Sequence, residues 1–567
     1  MSDPVPWSTG PAAGCATDRD PSRATPSLVA ERYWELTVEI LPGDPAAVWP
    51  HGQGTEGQRD QPAPFTLRPG AVRRPLPGGV RSAVGDARTA LAPPDHGPPD
   101  HGPGDGAGTD SATGIGSREL SELLRYGYGL VRHDLGPDVR WPHHRAVASA
   151  RCFYPVELYL WTPGTDGLPT GLYHYDPAHH VLAEVRPGLT AAELSAAAGI
   201  AVDGADAVLL LTAHWWRTAF HYRDYAYRLC TQEVGITAGS LLQTAAVLGL
   251  RAEVRYRIAA DRLRTALRLA PDEETPMAAV VLGGRPGPAL VPPVAEPLPE
   301  LGPRTGSGSA PGAAPRLDRT LCARLVEMDR AAVAADLRAP APLPAPVPAP
   351  ATAPRQEATV PLPADDTPWP DLVDVLARRT SGPYAFSPTG APVSAEVVGR
   401  LLAHLLAPYR SDLRPGLARP DLDCYVLANR VAGLPTGAFR LLPREHALSR
   451  IHHQPVGPAL RGPLATGQQV NFASSALLCY LVGDLSAMLR QHGENGLRLL
   501  SHEAGLVAHR LSTAGAAAGL AVRIVNAFDP DAIRSFLRLD GPRRDPVFQI
   551  AVAPCPPGRT YRMRVSF

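Results

Sequence analysis

The chain has 567 residues, and its 55 basic residues balance its 55 acidic ones, so a formal net charge of zero gives no support for binding nucleic acid or an anionic membrane. Every basic residue is arginine, and the chain therefore lacks the lysine that phosphate-binding P-loops, pyridoxal Schiff bases and protein kinases require. Proline (64 residues) and glycine (53 residues) are so abundant that only about two domains of core-forming sequence remain.

The N-terminal part is expected to be an extension of residues 1–87, followed by a disordered Gly/Pro-rich insert of residues 88–116. Residues 33–40 alternate apolar and polar side chains. This pattern predicts a strand that lies at a sheet edge or that binds a peptide or a partner protein by strand addition. Gly114-Ile115-Gly116 lacks the third glycine of a dinucleotide-binding motif and predicts a loop before a helix that begins at Ser117.

Residues 117–285 are predicted to form a first domain. Residues 207–213 have the apolar character of a buried strand and lead into an aromatic and basic segment, residues 214–228. Rings at this density are costly to expose, so the segment predicts either core or a pocket for a flat ligand. In such a pocket, His221 and Tyr222 would donate or accept protons.

Residues 286–370 are predicted to be a proline-rich linker with one amphipathic helix at residues 316–338, and residues 371–567 to form a second domain. The apolar run at residues 476–482 has the length of a strand and is too short to span a bilayer. No signal peptide is recognised, and seven cysteines without a Cys-x-x-Cys pair are typical of a reduced, cytoplasmic protein.

Two blocks recur in the two predicted domains at nearly one offset. Gly-Leu-Pro-Thr-Gly occurs at residues 167–171 and again 266 residues later, at 433–437. Residues 232–235 correspond, 270 residues later, to residues 502–505, and both blocks lie in alanine- and leucine-rich stretches with helical spacing. A period of this length excludes short solenoid repeats and predicts two copies of one domain.

The histidine-rich segments do not have the spacing of a metal site. His502 and His509 are seven residues apart on one predicted helix with Glu503, whereas a helical zinc motif needs a separation of four. The paired histidines lie in polar, turn-rich surroundings and are predicted to be surface residues: His143-His144, His179-His180 and His452-His453. No metal ligand is therefore expected.

Four segments carry a resemblance to a known family. Residues 149–159 are similar to Pro-Ser-Ala-Gly-Ala-Leu-Tyr-Pro-x-Glu-x-Tyr, and residues 167–177 to Gly-Leu-Pro-x-Gly-Leu-Tyr-His-Tyr-Asp-Pro. Residues 221–228 resemble Lys-Tyr-Gly-x-Arg-x-Tyr-Arg, and residues 378–381 an Arg-Arg-Ser/Thr motif that binds the FMN phosphate. These are motifs of the nitroreductase-fold flavin enzymes of the SagB or McbC type, the azoline dehydrogenases of ribosomally made peptides.

The chain departs from the family pattern at three places. His221 stands where the family has lysine, Arg151 or Cys152 where it has glycine, and Tyr225 where it has arginine. Histidine can still carry a proton near neutral pH and assist a neighbouring phenol. Arg151 would add positive charge beside a flavin.

The resemblance implies an α+β fold in which two tandem nitroreductase-like domains form an internal pseudo-dimer with Pro/Gly-rich linkers. It implies one FMN site at the interface, with Tyr222 as the catalytic base and His221 assisting it. The residues expected to bind the cofactor are Ser149, Ala150, Arg151, Arg378, Arg379, Thr380, Ser381, Asn526, Ala527 and Arg559, with Arg562 as a further candidate in the tail.

The mirror site of the pseudo-dimer is expected to be inactive. Its cofactor block contains Asp421 and Asp423, which would repel a flavin phosphate. Gln491-His492 replaces the catalytic pair, and the only candidate for a phosphate-binding segment is Arg81-Ser82, a poor match.

The activity that the resemblance implies is FMN-dependent oxidation of thiazoline or oxazoline rings to thiazoles or oxazoles in a precursor peptide, with molecular oxygen as the electron acceptor. A cyclodehydratase is the expected partner protein. Two alternatives remain open: an NAD(P)H-dependent flavin reductase of the nitroreductase type, and a catalytically inactive scaffold that binds peptide in a modifying complex.

Overall fold

The computed structural model describes residues 28–43, 62–94, 114–283, 317–336, 358–382, 392–555 and 561–565, except positions 80, 82, 137–138, 140–141, 365–366, 415, 455, 462–469, 527 and 540–543. The fold is mixed α/β, and its two largest sheets have seven strands each. None of the helices in these ranges is both long enough and apolar enough to cross a membrane.

The elements of the first half, up to residue 283, are α1 (Val29–Gly43), β1 (Arg73–Pro75), α2 (Ala87–Leu91), α3 (Ser117–Tyr128), β2 (Leu130–Leu135), β3 (His143–Arg145), β4 (Val156–Thr162), β5 (Gly171–Asp176), β6 (Val181–Pro187), α4 (Ala191–Ala198), β7 (Ala205–His214), α5 (Trp216–Tyr222), α6 (Ala226–Val247), β8 (Ala252–Arg255), α7 (Ala260–Leu267) and β9 (Glu274–Gly283).

The elements of the second half are α8 (Ala323–Ala335), β10 (Thr359–Pro361), α9 (Leu372–Arg378), β11 (Val393–Ser394), α10 (Ala395–Ala403), β12 (Tyr409–Arg410), β13 (Leu417–Ala418), β14 (Leu422–Ala428), β15 (Val431–Ala432), β16 (Gly437–Leu442), β17 (Ala447–His452), α11 (Val456–Arg461), β18 (Leu477–Asp484), α12 (Leu485–His492), α13 (Gly496–Ala517), β19 (Leu520–Val525), α14 (Pro530–Phe536), β20 (Arg544–Pro554) and β21 (Tyr561–Arg564).

The two large sheets have the same strand order. The first runs β1-β6-β5-β4-β7-β9-β8 and the second β10-β17-β16-β14-β18-β20-β19, so each strand has a counterpart at the same position. The central strands β4 and β7 are almost wholly buried, because their apolar side chains pack on both faces of the sheet. The strands predicted at residues 207–213 and 476–482 are confirmed as parts of β7 and β18. The edge strands β1 and β10 extend the sheets beyond the ranges 117–285 and 371–567.

Helices α6 and α13, the long helices predicted from the second repeated block, lie in main-chain contact. A Cβ atom added at Gly235 would lie 2.0 Å from the carbonyl oxygen of His502. A Cβ atom added at Gly505 would lie 2.1 Å from the carbonyl oxygen of Gln232. The contact is reciprocal, because Gly235 and Gly505 occupy the same position in the two blocks. Glycine is therefore required on both helices for this approach.

Polar contacts continue the pairing of the two helices. His502 Nδ1 lies 2.7 Å from the carbonyl oxygen of Thr231, and Thr513 Oγ1 donates to Gln243 Oε1 at 2.9 Å. Residue numbers rise together along both helices, so α6 and α13 run in the same direction. The halves are thus joined along a buried seam rather than at a single point.

Helices α1 and α8 are each capped by a carboxylate that belongs to the other half of the chain. Glu494 accepts hydrogen bonds from the N–H groups of Val29 at 3.0 Å and Ala30 at 2.7 Å, at the start of α1. Asp224 accepts one from the N–H of Leu325 at 2.9 Å, near the start of α8. Carboxylates there satisfy open N–H groups and favour the helix dipole. Helix α1, at the start of the first half, is therefore anchored to the second half, and α8, at the start of the second half, is anchored to the first half.

The strand predicted for residues 33–40 is wrong, because these residues lie in α1. Ala30, Tyr33, Trp34 and Thr37 are all buried, and their spacing of three and four residues is that of one helix face. A short window with adjacent aromatic residues fits both periods. Distant contacts select the helix, since Tyr33 and Trp34 pack on Tyr227 and Arg228 while Glu494 caps the helix start. Helix α8 lies inside the range 316–338 where a helix was predicted.

Helices α2 and α9 begin side by side where the halves meet. The N–H of Ala87 donates to the carbonyl oxygen of Pro370 at 3.1 Å, and the N–H of Leu372 donates to that of Gly85 at 2.9 Å. The C-terminal strand β21 crosses to the first half and pairs antiparallel with β2, which also pairs with β3. These contacts join the N-terminal ends of both helices across the two halves and tie the tail to the first half.

We expect Gly235→Ala to lower the free energy of unfolding by about 2 kcal/mol or more, because the new methyl group meets main chain rather than a flexible side chain. Gly239→Ala on the same helix is the matched control, since its Cβ would lie 3.2 Å from the nearest atom of Leu506. Both changes gain up to about 1 kcal/mol of helix propensity, so the difference between them isolates the contact. Chemical denaturation compares the two variants with the parent protein, and equal stabilities would contradict the close approach.

Candidate functional site

The segment between β3 and β4 contains the loop formed by residues 149–154, called the 149–154 loop. Three of its residues other than glycine have left-handed backbone angles: φ is 51° at Arg151, 56° at Cys152 and 48° at Tyr154. Each such residue costs on the order of 1 kcal/mol and persists only where neighbouring contacts fix it. One such contact is the N–H of Tyr154, which donates to Ser149 Oγ at 2.8 Å. The loop is therefore held in a strained shape, as is common where a protein binds a ligand.

Glu233 lies on α6 beneath this loop, and the sequence analysis did not select it. Its Oε1 accepts the N–H of Ala150 at 2.8 Å, and Ser149 also forms a side-chain hydrogen bond with it. Burial raises the pKa of Glu233 to about 8. The carboxyl group is therefore mostly protonated at neutral pH and can hold or release a proton beside the loop. Its one signal in the sequence is the glutamate that both repeated blocks carry at this position.

Arg379 reaches from the second half to the main chain that leads into the loop. Its Nε donates to the carbonyl oxygen of Ala146 at 3.1 Å, and its Nη2 to that of Val147 at 3.0 Å. In return, Arg132 Nη1 donates to the carbonyl oxygens of Ala377 and Arg379, both at 2.9 Å. The structure thus brings the segment 378–381 of the second half beside the 149–154 loop of the first. We call the space between them the composite cleft.

The other residues of the segment 378–381 contribute differently. Arg378 is exposed, and its guanidinium bonds to Asp374 of its own helix, with Nε 3.2 Å from the main-chain oxygen. Thr380 Oγ1 accepts the N–H of Gly382 at 3.1 Å. Ser381 is half-buried. Arg379 is therefore the residue of this segment whose side chain joins the two halves.

Asn526, at the end of β19, contacts α6 rather than the loop itself. Its Nδ2 donates to Gln232 Oε1 at 2.6 Å, one residue before Glu233. This bond places Asn526 on the second-half side of the cleft, with α6 between it and the loop. Two other residues expected to bind the cofactor, Ala527 and Arg559, lie outside the described residues.

The tail adds further cations near Arg132. Arg562 on β21 is in register with Asp134 on β2. Asp134 already pairs with Arg132 Nε at 2.6 Å and with His144 Nε2 at 3.2 Å. Arg132 thus neutralises Asp134, His144 adds a hydrogen bond while burial lowers its pKa, and this network fixes β2 beside the segment 378–381.

The predicted catalytic pair lies at the end of α5, against the 149–154 loop. The ring centroid of Phe153 lies 4.9 Å from that of Phe220, 6.0 Å from that of His221 and 6.4 Å from that of Tyr222. The rings of His221 and Tyr222 are 4.8 Å apart and nearly perpendicular, at 88°. An apolar wall that carries an imidazole and a phenol can hold a flat ligand and move a proton. Gln491-His492 ends α12 at the corresponding place in the second half.

Glu503 is the second-half counterpart of Glu233, and residues of its own half satisfy its carboxylate. Glu503 accepts two hydrogen bonds from Arg414, from Nη1 at 2.6 Å and from Nη2 at 2.7 Å, and a third from the hydroxyl of Tyr409 at 2.6 Å. A bidentate guanidinium pair satisfies the carboxylate within the protein. Glu503 is therefore not available to a ligand in the way that Glu233 is.

The backbone around Glu503 also differs from that around Glu233. The N–H of Asp421 donates to Glu503 at 3.3 Å, as the N–H of Ala150 does to Glu233. Strand β14 begins at Leu422, which pairs with Gly483 as Val156 of β4 pairs with Ala213, so β4 and β14 start at equivalent positions. Residues 417–418, which correspond to Arg151 and Cys152, form the short strand β13 paired with β12, where the first half has left-handed backbone.

Arg81, the first residue of the candidate mirror segment Arg81-Ser82, is already paired within the first half. Arg81 pairs with Glu122 of α3, with Nη2 2.6 Å from Oε2, and Ser82 lies outside the described residues. When helices α2 and α9 are aligned by their N-caps, Pro93-Pro94 falls at the position of Arg378-Arg379. The mirror position thus has two prolines in place of two cations.

The surface location predicted for the paired histidines is wrong for two of them. His180 is buried, with Nε2 2.8 Å from Ser121 Oγ and Nδ1 3.0 Å from the hydroxyl of Tyr175. His452 is also buried, and its Nε2 lies 2.9 Å from the carbonyl oxygen of Phe536. Folding brings these rings against residues that a local sequence window does not contain, Ser121 for His180 and Phe536 for His452. Within the described ranges, no group of three or more His, Cys, Asp or Glu residues is placed to hold a metal ion.

Comparison with known proteins supports the fold. No family model matches the chain. A protein assigned as a nitroreductase from Methanocaldococcus jannaschii is 32% identical to this chain over 135 residues. These residues are 24% of this chain and 64% of that protein, so the match spans less than two thirds of the relative. A crystal structure assigned as a nitroreductase from Anabaena variabilis aligns with a TM-score of 0.66 and 18% identity over 93% of this chain and 100% of that one. The overall fold is therefore nitroreductase-like.

A chain of the E. coli microcin synthetase McbBCD complex with bound truncated pro-MccB17 aligns more weakly. The TM-score is 0.26 and the identity 20%, over 31% of this chain and 66% of that chain. We draw no functional conclusion from this alignment.

We expect the stability of the protein to fall between pH 6 and pH 8 because of Glu233. Its pKa is about 8 in the folded protein and near the usual 4.5 when unfolded, so the folded state binds the extra proton in this range. The stabilisation is complete below the unfolded pKa and is lost as the pH rises through the folded pKa. The loss between the two pH values should be on the order of 2 kcal/mol.

Glu233→Gln should remove this slope, and the exposed Glu445→Gln should leave it unchanged. Denaturant unfolding at a series of pH values measures both. A slope that persists in Glu233→Gln would show that another group is responsible.

Proposed function

We propose that the two halves are tandem nitroreductase-like domains that form an internal pseudo-dimer, with one FMN site in the composite cleft. The observation that carries this proposal is the contact of Arg379 with the main chain at Ala146 and Val147. It joins the two segments whose sequences resemble the two parts of a flavin site. Each segment comes from a different half, as an interface site requires.

The residues of the composite cleft fit an anionic, flat cofactor. Arg151 is half-buried on a left-handed backbone, and among the described residues none forms an ion pair with it. A cation held in this way is stabilised by a bound anion such as a phosphate. Nε and Nη2 of Arg379 donate to main-chain carbonyl oxygens, and Nη1 takes no part in these hydrogen bonds. Arg151 and Arg379 would hold the phosphate, and Phe153 and Phe220 would pack against the ring system.

The reaction that we propose is the dehydrogenation of a thiazoline or oxazoline ring in a precursor peptide. When bound, FMN supplies the hydride acceptor, and molecular oxygen is the final oxidant. Tyr222 takes the acidic proton from the ring carbon next to the imine and the carbonyl group. A free phenol has a pKa of about 10, so Tyr222 first transfers its own proton to His221, whose ring lies against it. The aromatic wall excludes water from the reacting atoms.

The precursor peptide is the proposed substrate, and a cyclodehydratase that forms the azoline is the proposed partner protein. Residues 33–40 do not offer a free strand for docking, because they lie in α1, where Tyr33 and Trp34 are buried and the hydroxyl of Tyr33 donates to the carbonyl oxygen of Asp224. The peptide would instead approach the composite cleft from the side of α5, where His221 and Tyr222 are half-buried rather than closed off.

A second candidate is an NAD(P)H-dependent flavin reductase of the nitroreductase type. The match that favours it is the 32% identity with the protein assigned as a nitroreductase from M. jannaschii. Both candidates use the same cofactor and the same cleft. They differ in whether nicotinamide or an azoline peptide delivers electrons to the flavin.

We expect the purified protein to carry about one FMN per chain. Arg151→Gln should weaken FMN binding about tenfold or more, because it removes a cation that faces the phosphate. Arg73→Gln, on the exposed edge strand β1, is the matched control. Visible absorption and released flavin measure the stoichiometry, and fluorescence titration of the flavin-free protein measures affinity. A protein that binds no FMN after reconstitution would favour the scaffold alternative.

Tyr222→Phe should retain FMN and lose about a hundredfold or more of the rate of azoline oxidation, since the base is removed while the ring remains. The substrates are two synthetic peptides that differ only in a thiazoline or an oxazoline, followed by mass loss of two hydrogens. Rapid reduction of the flavin by NADH or NADPH, without oxidation of either peptide, would support the flavin reductase instead.

A further inference from the structure

A second cavity, of about 980 Å³, lies between the halves on the mirror side of α6 and α13. It is bounded by the end of α2 and Pro93-Pro94 from the first half, and by Tyr409 and Arg410 from the second. Pro93-Pro94 corresponds to Arg378-Arg379, so this cavity is the counterpart of the composite cleft. We call it the mirror cavity.

The charged residues that line the mirror cavity are all basic. They are Arg88, Arg251, Arg410 and Arg510, and no aspartate or glutamate is among the lining residues in the described chain. Among the described residues, none forms an ion pair with Arg88, Arg251 or Arg410. The net charge of the whole chain is zero, so the cavity concentrates positive charge that is balanced elsewhere. This separation of charge creates an attractive potential for anions.

Arg510 is the fixed member of the set. It is buried, and its Nη1 donates to the carbonyl oxygens of Ala407 at 2.5 Å and Leu405 at 3.4 Å. Its guanidinium also lies 5.8 Å from the ring centroid of Tyr409. Burial lowers the pKa of Arg510 to about 10, which still leaves it charged at neutral pH. Arg510 is therefore a fixed positive charge on the cavity wall, and the other three arginines add to the potential that attracts an anion.

The remaining lining is largely apolar. Leu242 and Leu250 come from the first half, Leu506 comes from α13, and Pro93-Pro94 close one side. Apolar walls with a few convergent polar groups are typical of small-molecule sites. The cavity therefore suits a ligand with an anionic head and an apolar body.

The mirror cavity is not built like the composite cleft. The left-handed 149–154 loop has no equivalent in the described second half, where the corresponding residues 417–418 form strand β13, and Arg414 already satisfies Glu503. The cations also come from different positions, since Arg510 corresponds to Ser240 and Arg378-Arg379 to Pro93-Pro94. We propose that the mirror cavity binds a small phosphate monoester with an aromatic or apolar body, and that this ligand is not the cofactor of the composite cleft. The site is independent of the reaction proposed above.

Phenyl phosphate is the probe, because it combines a phosphate dianion with a planar apolar body. Isothermal titration calorimetry on the full chain, with its flavin content measured before and after, should give saturable binding with a Kd below about 1 mM. Inorganic phosphate and phenol, tested separately, should each bind at least about tenfold more weakly. The Kd should rise with ionic strength.

Arg410→Gln and Arg88→Gln should each weaken phenyl phosphate binding about tenfold, and Arg73→Gln should not change it. Arg88 is exposed and Arg410 is half-buried, so neither replacement leaves a buried charge unpaired; thermal unfolding verifies that each variant remains folded. Absence of saturable binding, or an equal loss in Arg73→Gln, would overturn the proposal. Release of bound FMN by phenyl phosphate would also overturn it, because the probe would then occupy the composite cleft.

Discussion

The main-chain contact between α6 and α13 is the constraint on which the rest of the structure depends. Gly235 and Gly505 allow the two helices to touch where any side chain would meet a carbonyl oxygen. Once the helices touch, α2 and α9 begin side by side, and Arg379 comes within hydrogen-bonding distance of the main chain at Ala146. Both clefts between the halves exist because of this approach.

The same contact creates two clefts between the halves, and the residues that line them differ. Glu233 and Glu503 occupy equivalent positions, yet the first accepts the N–H of Ala150 in an apolar environment and the second is paired with Arg414. Burial keeps a proton on Glu233, whereas the ion pair keeps Glu503 satisfied within the protein. A duplicated domain in one chain can make such changes independently, which two identical subunits cannot.

The sequence predicted the elements that a local pattern specifies well. Strands β7 and β18 are long apolar runs, and α6 and α13 carry helical spacing ended by glycine, so their types were correct. Residues 33–40 were predicted wrongly because docking on Glu494 selects a helix, and that partner is more than 450 positions away. His180 was placed at the surface because Ser121, which contacts its ring, is 59 positions away and outside any local window.

The sequence by itself indicated two related halves and predicted that segments 149–154, 221–228 and 378–381 belong to one candidate site, because repeats and motifs are properties of residue order. Tertiary structure decided which residues of those segments meet. Arg379 rather than Arg378 joins the halves, Glu233 lies beneath the loop, and four arginines converge on the mirror cavity. These three features depend on how closely distant parts of the main chain approach and on which side chains become buried. A local pattern of side chains specifies neither the approach nor the burial.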